Sequence, residues 1–330
     1  MAVRFGLLLP HFGSNADFGL IRDGSQIAES VGFDSVWVRD HILYEPHSET
    51  DDPDPAFLEA TVTLAAIAAA TTRLSLGTSA LVPLRHPLMT AKVLSSISAM
   101  FERQILVGLG AGGFDHEFAA LGYPDNVPRS ELVDATARTC RALWSGGLAS
   151  QHDSVFDFTD VAMRPLPSEP GIQLWMCGSG LLAAKRAARE YDGWLPARIT
   201  LRALDERRKA METIVGNSGR PMPTVGLLAL TSIANDGTRA LDRIPLDGLM
   251  NWANHNKFAQ TWPKPAGGRY ETPDDIAGTY IAGAPEEVVD QCRRVIASGV
   301  EHLVFDLRNG FDSWHEQIEL LGASVLPHIG

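Results

Sequence analysis

Asp40 and His41 stand side by side in the sequence and form its most reactive pairing. Imidazole is the one side chain whose unperturbed pKa lets it trade a proton near neutrality. A neighbouring carboxylate orients the ring or holds a polar group of a ligand. The plainer reading is an Asp capping a loop beside a solvated His. Gly110-Ala111-Gly112-Gly113 follows a short apolar run, where small residues let backbone approach a flat or anionic ligand. A tight turn would need no more than that. Gly178-Ser179-Gly180 separates an apolar run from a helical stretch over 181–190. Free N–H groups at a helix start, with a Ser hydroxyl, make a phosphate site. Ser179 as the helix N-cap is the simpler alternative. Lys185 and Arg186, one turn on, add positive charge or merely face solvent. Together the two glycine turns favour a phosphate-bearing cofactor. No H-E-x-x-H, paired Cys-x-x-Cys or spaced Asp/His set points to a metal, and no Gly-x-Ser-x-Gly points to a nucleophile elbow. His86-Pro87 reads as a helix entry.

The elements that must position these residues are legible as alternating strands and helices. Short, nearly continuous apolar runs at 3–9, 35–38, 74–81, 105–109, 173–177, 193–195, 225–230 and 302–307 suit strands covered on both faces. Between them, Leu20, Gly24, Ile27, Ala28 and Val31 repeat at helical spacing, and Gly32 supplies a stop. Pro87 suits a first helical position, with Ala91, Leu94, Ile97 and Phe101 as one stripe. Pro285, followed by Glu286 and Glu287, opens a helix that Gly299 closes. The last helix is expected over about 313–325. Eight strands, most followed by a helix, predict an α/β fold, a (β/α)8 TIM barrel in a single domain over 1–330. A doubly wound sheet is the competing architecture. Two long interruptions stand out: an acidic stretch with three prolines over 41–56, read as a loop over the barrel mouth, and an insertion over about 233–278.

Barrel active sites lie at the C-terminal strand ends. That rule selects His11 and Phe12, Asp40 and His41, the stretch from Ser79 and Ala80 through Val82 to Pro83, then Gly110 to His116 with Ala111, Gly112, Gly113 and Phe114, and lastly Gly178 to Leu182 with Ser179 and Leu181. Phe12, Trp37 and the stretch from Trp252 to Trp262 are candidate pocket walls, with core packing the alternative for Trp37.

The chain has 330 residues, 28 basic against 40 acidic, and a formal charge of −12. Nucleic acids and anionic membranes are therefore disfavoured partners. Three scattered cysteines give neither a disulfide framework nor a zinc spacing, which suits a reducing compartment. The opening residues lack a signal-peptide pattern, and the apolar stretch 60–72 is shorter than the roughly 18 residues of a membrane span. A soluble, cytoplasmic protein is expected.

Several stretches resemble the luciferase-like monooxygenase superfamily, and within it the oxidoreductases dependent on the deazaflavin coenzyme F420. They are Gly32-Phe-Asp-Ser-Val-Trp-Val-Arg-Asp-His41, Thr72-Arg-Leu-Ser-Leu-Gly-Thr-Ser-Ala-Leu81, Arg85-His-Pro-Leu-Met-Thr-Ala-Lys92 and Glu102-Arg-Gln-Ile-Leu-Val-Gly-Leu-Gly110. Gly178-Ser179, Ala187-Ala-Arg-Glu-Tyr-Asp-Gly-Trp-Leu-Pro196, Gly283-Ala-Pro-Glu-Glu-Val288 and Ala297-Ser-Gly-Val-Glu-His-Leu303 complete the set. The likeness covers nearly the whole chain and is weakest over 233–278. It implies a barrel holding a deazaflavin or flavin, with a non-proline cis peptide after the third strand, here Ser79–Ala80. It implies phosphate contacts at Ala111-Gly112 and Gly178-Ser179, a cofactor-contacting Asp40 and a substrate-facing His41 that handles a proton. The sugar-phosphate dehydrogenases of the family carry a Glu after the fourth-strand glycines. Gly113 and then Phe114 stand here, which points away from that substrate class.

The expected activity is hydride transfer between F420 and a small to medium carbonyl, enone or alcohol, in a homodimer. An FMN-dependent monooxygenase using oxygen is the first alternative. A flavin-binding protein without turnover is the second, and a barrel lyase or hydrolase that binds its substrate at the phosphate site is the third.

Overall fold

The computed structural model describes residues 2–45, 52–153, 155–256 and 259–330. Among the described residues there are eleven strands: β1 (Arg4–Leu8), β2 (Ser35–Val38), β3 (Ser75–Leu81), β4 (Ile105–Leu109), β5 (Ala149–His152), β6 (Asp157–Val161), β7 (Ile172–Cys177), β8 (Gly193–Leu195), β9 (Thr224–Ile233), β10 (Tyr280–Gly283) and β11 (His302–Asp306). The helices are α1 (Phe18–Val31), α2 (Ala60–Ala70), α3 (Pro87–Phe101), α4 (Asp115–Ala120), α5 (Arg129–Trp144), α6 (Leu181–Glu190), α7 (Leu201–Ser218), α8 (Gly237–Asp242), α9 (Leu246–His255), α10 (Pro285–Ala297), α11 (Trp314–Ser324) and α12 (Leu326–Ile329).

Eight strands bond in one circuit, β9-β11-β1-β2-β3-β4-β7-β8, closed by a β8–β9 pairing. This is the (β/α)8 barrel, and its eight strands are those read from the apolar runs. The sequence reading missed β10, which pairs with β9, and the antiparallel β5–β6 hairpin. The hairpin is mostly polar and partly exposed, so it lacks the apolar signature of the barrel strands. Proline opens α3 and α10 as expected, and Ser298 caps α10 one residue before Gly299. The C-terminal helix breaks at Val325 into α11 and α12.

By contacts the chain divides into two compact units. One comprises Met1–Leu9, Asp23–Val36 and Trp175–Gly330, the other Pro10–Arg22 and Trp37–Leu174. In the second unit Trp37 is fully buried and lies on β3, where a Cβ on Gly77 would fall 2.2 Å from the indole. Trp37 is therefore a core residue. In the first unit Trp175, Trp194 and Trp314 are also buried. There the buried His302 Nε2 lies 2.8 Å from Ser35 Oγ, with the Trp175 ring edge-on at 5.5 Å.

The insertion carries its own structure. Asn254 exchanges hydrogen bonds with the Tyr270 backbone, Trp252 and Trp262 meet at 5.3 Å, and Arg207 of α7 donates to Thr261. Residues 257–258 of it, and 46–51 of the acidic loop expected over 41–56, lie outside the described residues. Among the described residues, no helix is long and apolar enough to cross a membrane.

Candidate active site

The chain leaves β2 at Val38 and reaches Asp40 two residues later. The Asp40 carboxylate is wholly buried and takes both arms of the Arg85 fork, Nη1 to Oδ2 and Nη2 to Oδ1, each at 2.8 Å. Asp40 Oδ2 also accepts the Val82 N–H at 3.0 Å. Arg85 reaches a second acid as well: its Nε and Nη2 donate to Glu59 Oε1 at 3.1 and 2.6 Å. Glu59 in turn caps α2 by accepting the Val62 N–H. Burial alone would lower the Arg85 pKa, but the two carboxylates outweigh it and hold the pKa above its usual value. For Glu59 burial works upward and is overcome by the Val62 N–H and Arg85, so the acid stays ionised. This network fixes the backbone just after β3.

The preceding peptide, Ser79–Ala80, is cis, as the resemblance implies, and both residues are half-buried. The β3–β4 register shifts between Thr78 and Leu81, so this stretch bulges out of the ladder.

His41 is held by α4, the helix that follows β4. Its Nδ1 lies 3.2 Å from Glu117 Oε2, and Glu117 Oε1 accepts the N–H groups of Ile42 at 2.8 Å and Leu43 at 3.1 Å. Glu117 sits in the first turn of α4 and is 1% exposed. Burial would raise its pKa, but the bonds from His41, Leu43 and Ile42 reverse that and hold it below the usual carboxylate value. The rings of Phe114, Phe57 and Tyr44 stand around the imidazole at 4.9, 5.1 and 5.3 Å. His116 donates through Nε2 to Leu43 O at 2.8 Å, a second tie between the loop after β2 and α4.

The turn after β4 offers backbone. Gly112 has φ +70°, and a Cβ there would fall 2.7 Å from Val82 Cγ1, so only glycine fits. Ala111 is half-buried, Gly113 is exposed and Phe114 is half-buried. His11 and Phe12, at the end of β1, are less open. His11 is fully buried with Nε2 at 3.1 Å from both the O and N of Arg39, and Phe12 stacks on Phe57 at 5.6 Å. Gly108, Gly110 and Gly113 do stand at G-x-G-x-x-G spacing. Gly108 lies inside β4 of a closed barrel, however, so this is not the doubly wound dinucleotide site.

All these residues belong to one unit. Gly178, Ser179, Leu181 and Leu182 belong to the other. Gly178 has φ +125°, and its carbonyl accepts the Trp194 Nε1–H at 2.8 Å. The N-cap of α6 is Gly180, with no side-chain cap, so Ser179 does not play the capping role. The opening N–H groups of the helix are left for another acceptor. Leu181 is half-buried and Leu182 is 75% exposed.

The sequence reading missed Arg85, Glu59, Glu117, Phe57 and Tyr44 as site residues. Arg85 carried a signal, since it opens one of the matching stretches, and Glu59 stands directly before an apolar helical run.

The residues present fit a flat, phosphate-bearing cofactor. In the second unit the Gly112 turn, which a Cβ would fill, admits close approach of a flat or anionic group, and in the first unit the start of α6 has no side-chain cap and suits an anion.

A family model described as luciferase-like monooxygenase matches residues 3–302. An F420-dependent glucose-6-phosphate dehydrogenase of Amycolatopsis mediterranei is 26% identical over 297 residues, covering 84% of this chain and 85% of that protein. Among solved structures, an F420-dependent secondary alcohol dehydrogenase in complex with an F420-acetone adduct superposes with a TM-score of 0.79 at 18% identity, covering 100% of both chains. The oxygenating constituent of 3,6-diketocamphane monooxygenase from Pseudomonas putida, in complex with FMN, gives 0.80 at 16% identity, covering 100% of this chain and 99% of that one.

Proposed function

The chain belongs to the luciferase-like monooxygenase family, and from that premise we propose that it is an F420-dependent oxidoreductase acting on a small to medium carbonyl, enone or alcohol. The observation that carries the reading is the anchored His41, in one unit with the bulged Ser79–Ala80 segment and the Gly112 turn. The F420-dependent relative, and the structural neighbour that is a secondary alcohol dehydrogenase, support the cofactor and substrate class. When bound, F420 supplies a flat ring that takes or gives a hydride.

The residues of the chain do the rest. Asp40 and Arg85 fix the segment at Val82, so Asp40 acts on the cofactor site through the backbone it holds. The N–H groups at Ala111 and Gly112 in one unit, and that of Ser179 with the start of α6 at Leu181 and Leu182 in the other, are each suited to phosphate, whereas the Gly178 N–H is committed to Leu195 O at 3.3 Å. His116 secures the loop that carries His41. Gly113 and Phe114 line the substrate side, and His11 and Phe12 pack on Phe57 behind the His41 ring. His41 gives or takes the proton at the substrate oxygen. Neutral Gly113, standing where the sugar-phosphate enzymes have Glu, favours a substrate other than a sugar phosphate.

A side-by-side titration of the apo protein with F420 and with FMN tests the reading. Micromolar or tighter binding of F420, with FMN weaker, is the expected result. His41→Ala should then keep cofactor affinity and lose about 10²–10⁴-fold in kcat. Preference for FMN would move the chain to oxygen-using monooxygenase chemistry, the reading that the FMN-bound neighbour favours. Binding of neither would overturn both.

A homodimer belongs to the same proposal. Val62 on α2 and Met89 and Met100 on α3 are 66%, 58% and 72% exposed, large apolar side chains on neighbouring helices. Sedimentation should give twice the chain mass, and Met100→Glu should shift it toward the monomer; a monomeric wild type would refute the assembly.

A further inference from the structure

We propose that Glu117 is a positioning residue that sets the tautomer of His41, keeping the proton on Nδ1 so that Nε2 is the ring nitrogen that meets the substrate. This deepens, and rests on, the reading of His41 as the proton carrier.

The argument starts from what surrounds the carboxylate. Oε1 of Glu117 is met by two backbone N–H groups, from Ile42 and Leu43, and Oε2 faces His41 Nδ1 at 3.2 Å. The two N–H groups can only donate, so Oε1 must accept. The acid is buried, and its environment favours the ionised form, which accepts at both oxygens. The imidazole nitrogen facing Oε2 must therefore donate. In a neutral ring that places the hydrogen on Nδ1 and leaves Nε2 as the acceptor. Every group bonded to the carboxylate thus points to one tautomer. Among the described residues, the groups packed on the imidazole are Glu117 of α4, the rings of Phe114 and Phe57, and the Tyr44 ring of its own loop. Asp40, the chain neighbour, is engaged with Arg85 and the Val82 N–H.

The same logic predicts an unusual response to amide substitution. In Glu117→Gln the carbonyl oxygen stays on the two N–H donors, because the NH2 group cannot accept from them. The NH2 group then faces His41 Nδ1, which must become an acceptor. The proton moves to Nε2, and the nitrogen meant for the substrate changes role although the residue has the same shape. A wrong tautomer in an otherwise intact site has a large cost in the analogous Asp-to-Asn change of a serine protease triad.

The test uses the whole 330-residue chain without cofactor. Histidine labelled with 15N is observed by NMR above pH 8, with the His41 signals assigned by their loss in His41→Asn. Wild type should show Nδ1–H with an unprotonated Nε2, and Glu117→Gln should show the reverse. In turnover, Glu117→Gln should lose at least 10²-fold in kcat with KM within a few fold, while Glu117→Asp, which keeps an ionised acceptor, should recover part of the loss. A wild-type ring protonated on Nε2 would overturn the proposal whether or not the variant folds, and so would an unchanged tautomer in a folded Glu117→Gln. The NMR result does not depend on F420, so a failed cofactor reading appears in the titration and a failed pairing in the tautomer.

Discussion

Replacing Arg85 with Met should lower the unfolding free energy by about 3–5 kcal/mol, seen as an earlier midpoint in urea. The size follows from what is stranded. Asp40 is wholly buried and, among the described residues, is paired by both arms of Arg85 and by the Val82 N–H. Methionine keeps the aliphatic stem but removes both arms of the fork, leaving a buried carboxylate without a counter-charge. Breaking one side of a buried pair costs more than the pair itself contributes, because the remaining ion keeps its desolvation penalty. Arg85→Lys keeps the charge but cannot hold Asp40 and Glu59 in the same planar arrangement, so it should fall between wild type and Met. A Met variant within 1 kcal/mol of wild type would mean that the network carries little of the load assigned to it.

The second large effect depends on pH. Burial, aided by the nearby Arg4 charge, pushes the His302 pKa down to about 3. In the unfolded chain the ring titrates near its ordinary value of about 6.5. Above that value the ring is neutral in both states and the fold keeps its full stability. As pH falls from 6.5 toward 3, the unfolded chain takes up a proton that the folded chain refuses. Stability then drops by roughly 1.4 kcal/mol per unit, or about 4–5 kcal/mol over the whole window. Urea unfolding of wild type and His302→Asn at pH 7.5 and 4.5 isolates this contribution, because the other titrating groups are shared. Wild type should lose about 2–3 kcal/mol more than the variant between the two conditions. Equal losses would show that the buried imidazole is not the acid-sensitive group.

The barrel strands were legible because both faces of each are covered, which makes them almost continuously apolar. The β5–β6 hairpin was not, since Ser150, His152, Asp157 and Asp160 read as loop residues. Helix starts were clear at Pro87 and Pro285, where ring geometry fixes the position. At α6 the cap is one residue later than Ser179 suggests, because a hydroxyl in sequence does not reveal which backbone turn it faces. In the site, Asp40 and His41 were visible because they are adjacent. Glu117 was not: its partners lie 74 to 76 residues away in sequence, and without them it reads as a surface acid of a short helix. Arg85 was hidden in a similar way. A lone basic residue in the short connection between β3 and α3 looks solvated until the fold places two acids on it.

The bond between Ser35 and His302 joins groups 267 residues apart, near the start and end of the chain. During synthesis at about 5–20 residues per second, β2 is therefore made roughly 13–53 s before the ring that completes its surroundings. Until then Val36 and its apolar neighbours have no finished interior to enter. A nascent chain arrested before residue 302 should stay protease-sensitive and dependent on holding chaperones, however well its first helices have formed. The eight-stranded circuit thus sets a clock as well as a shape: protection arrives late and nearly at once, when the last strand is released.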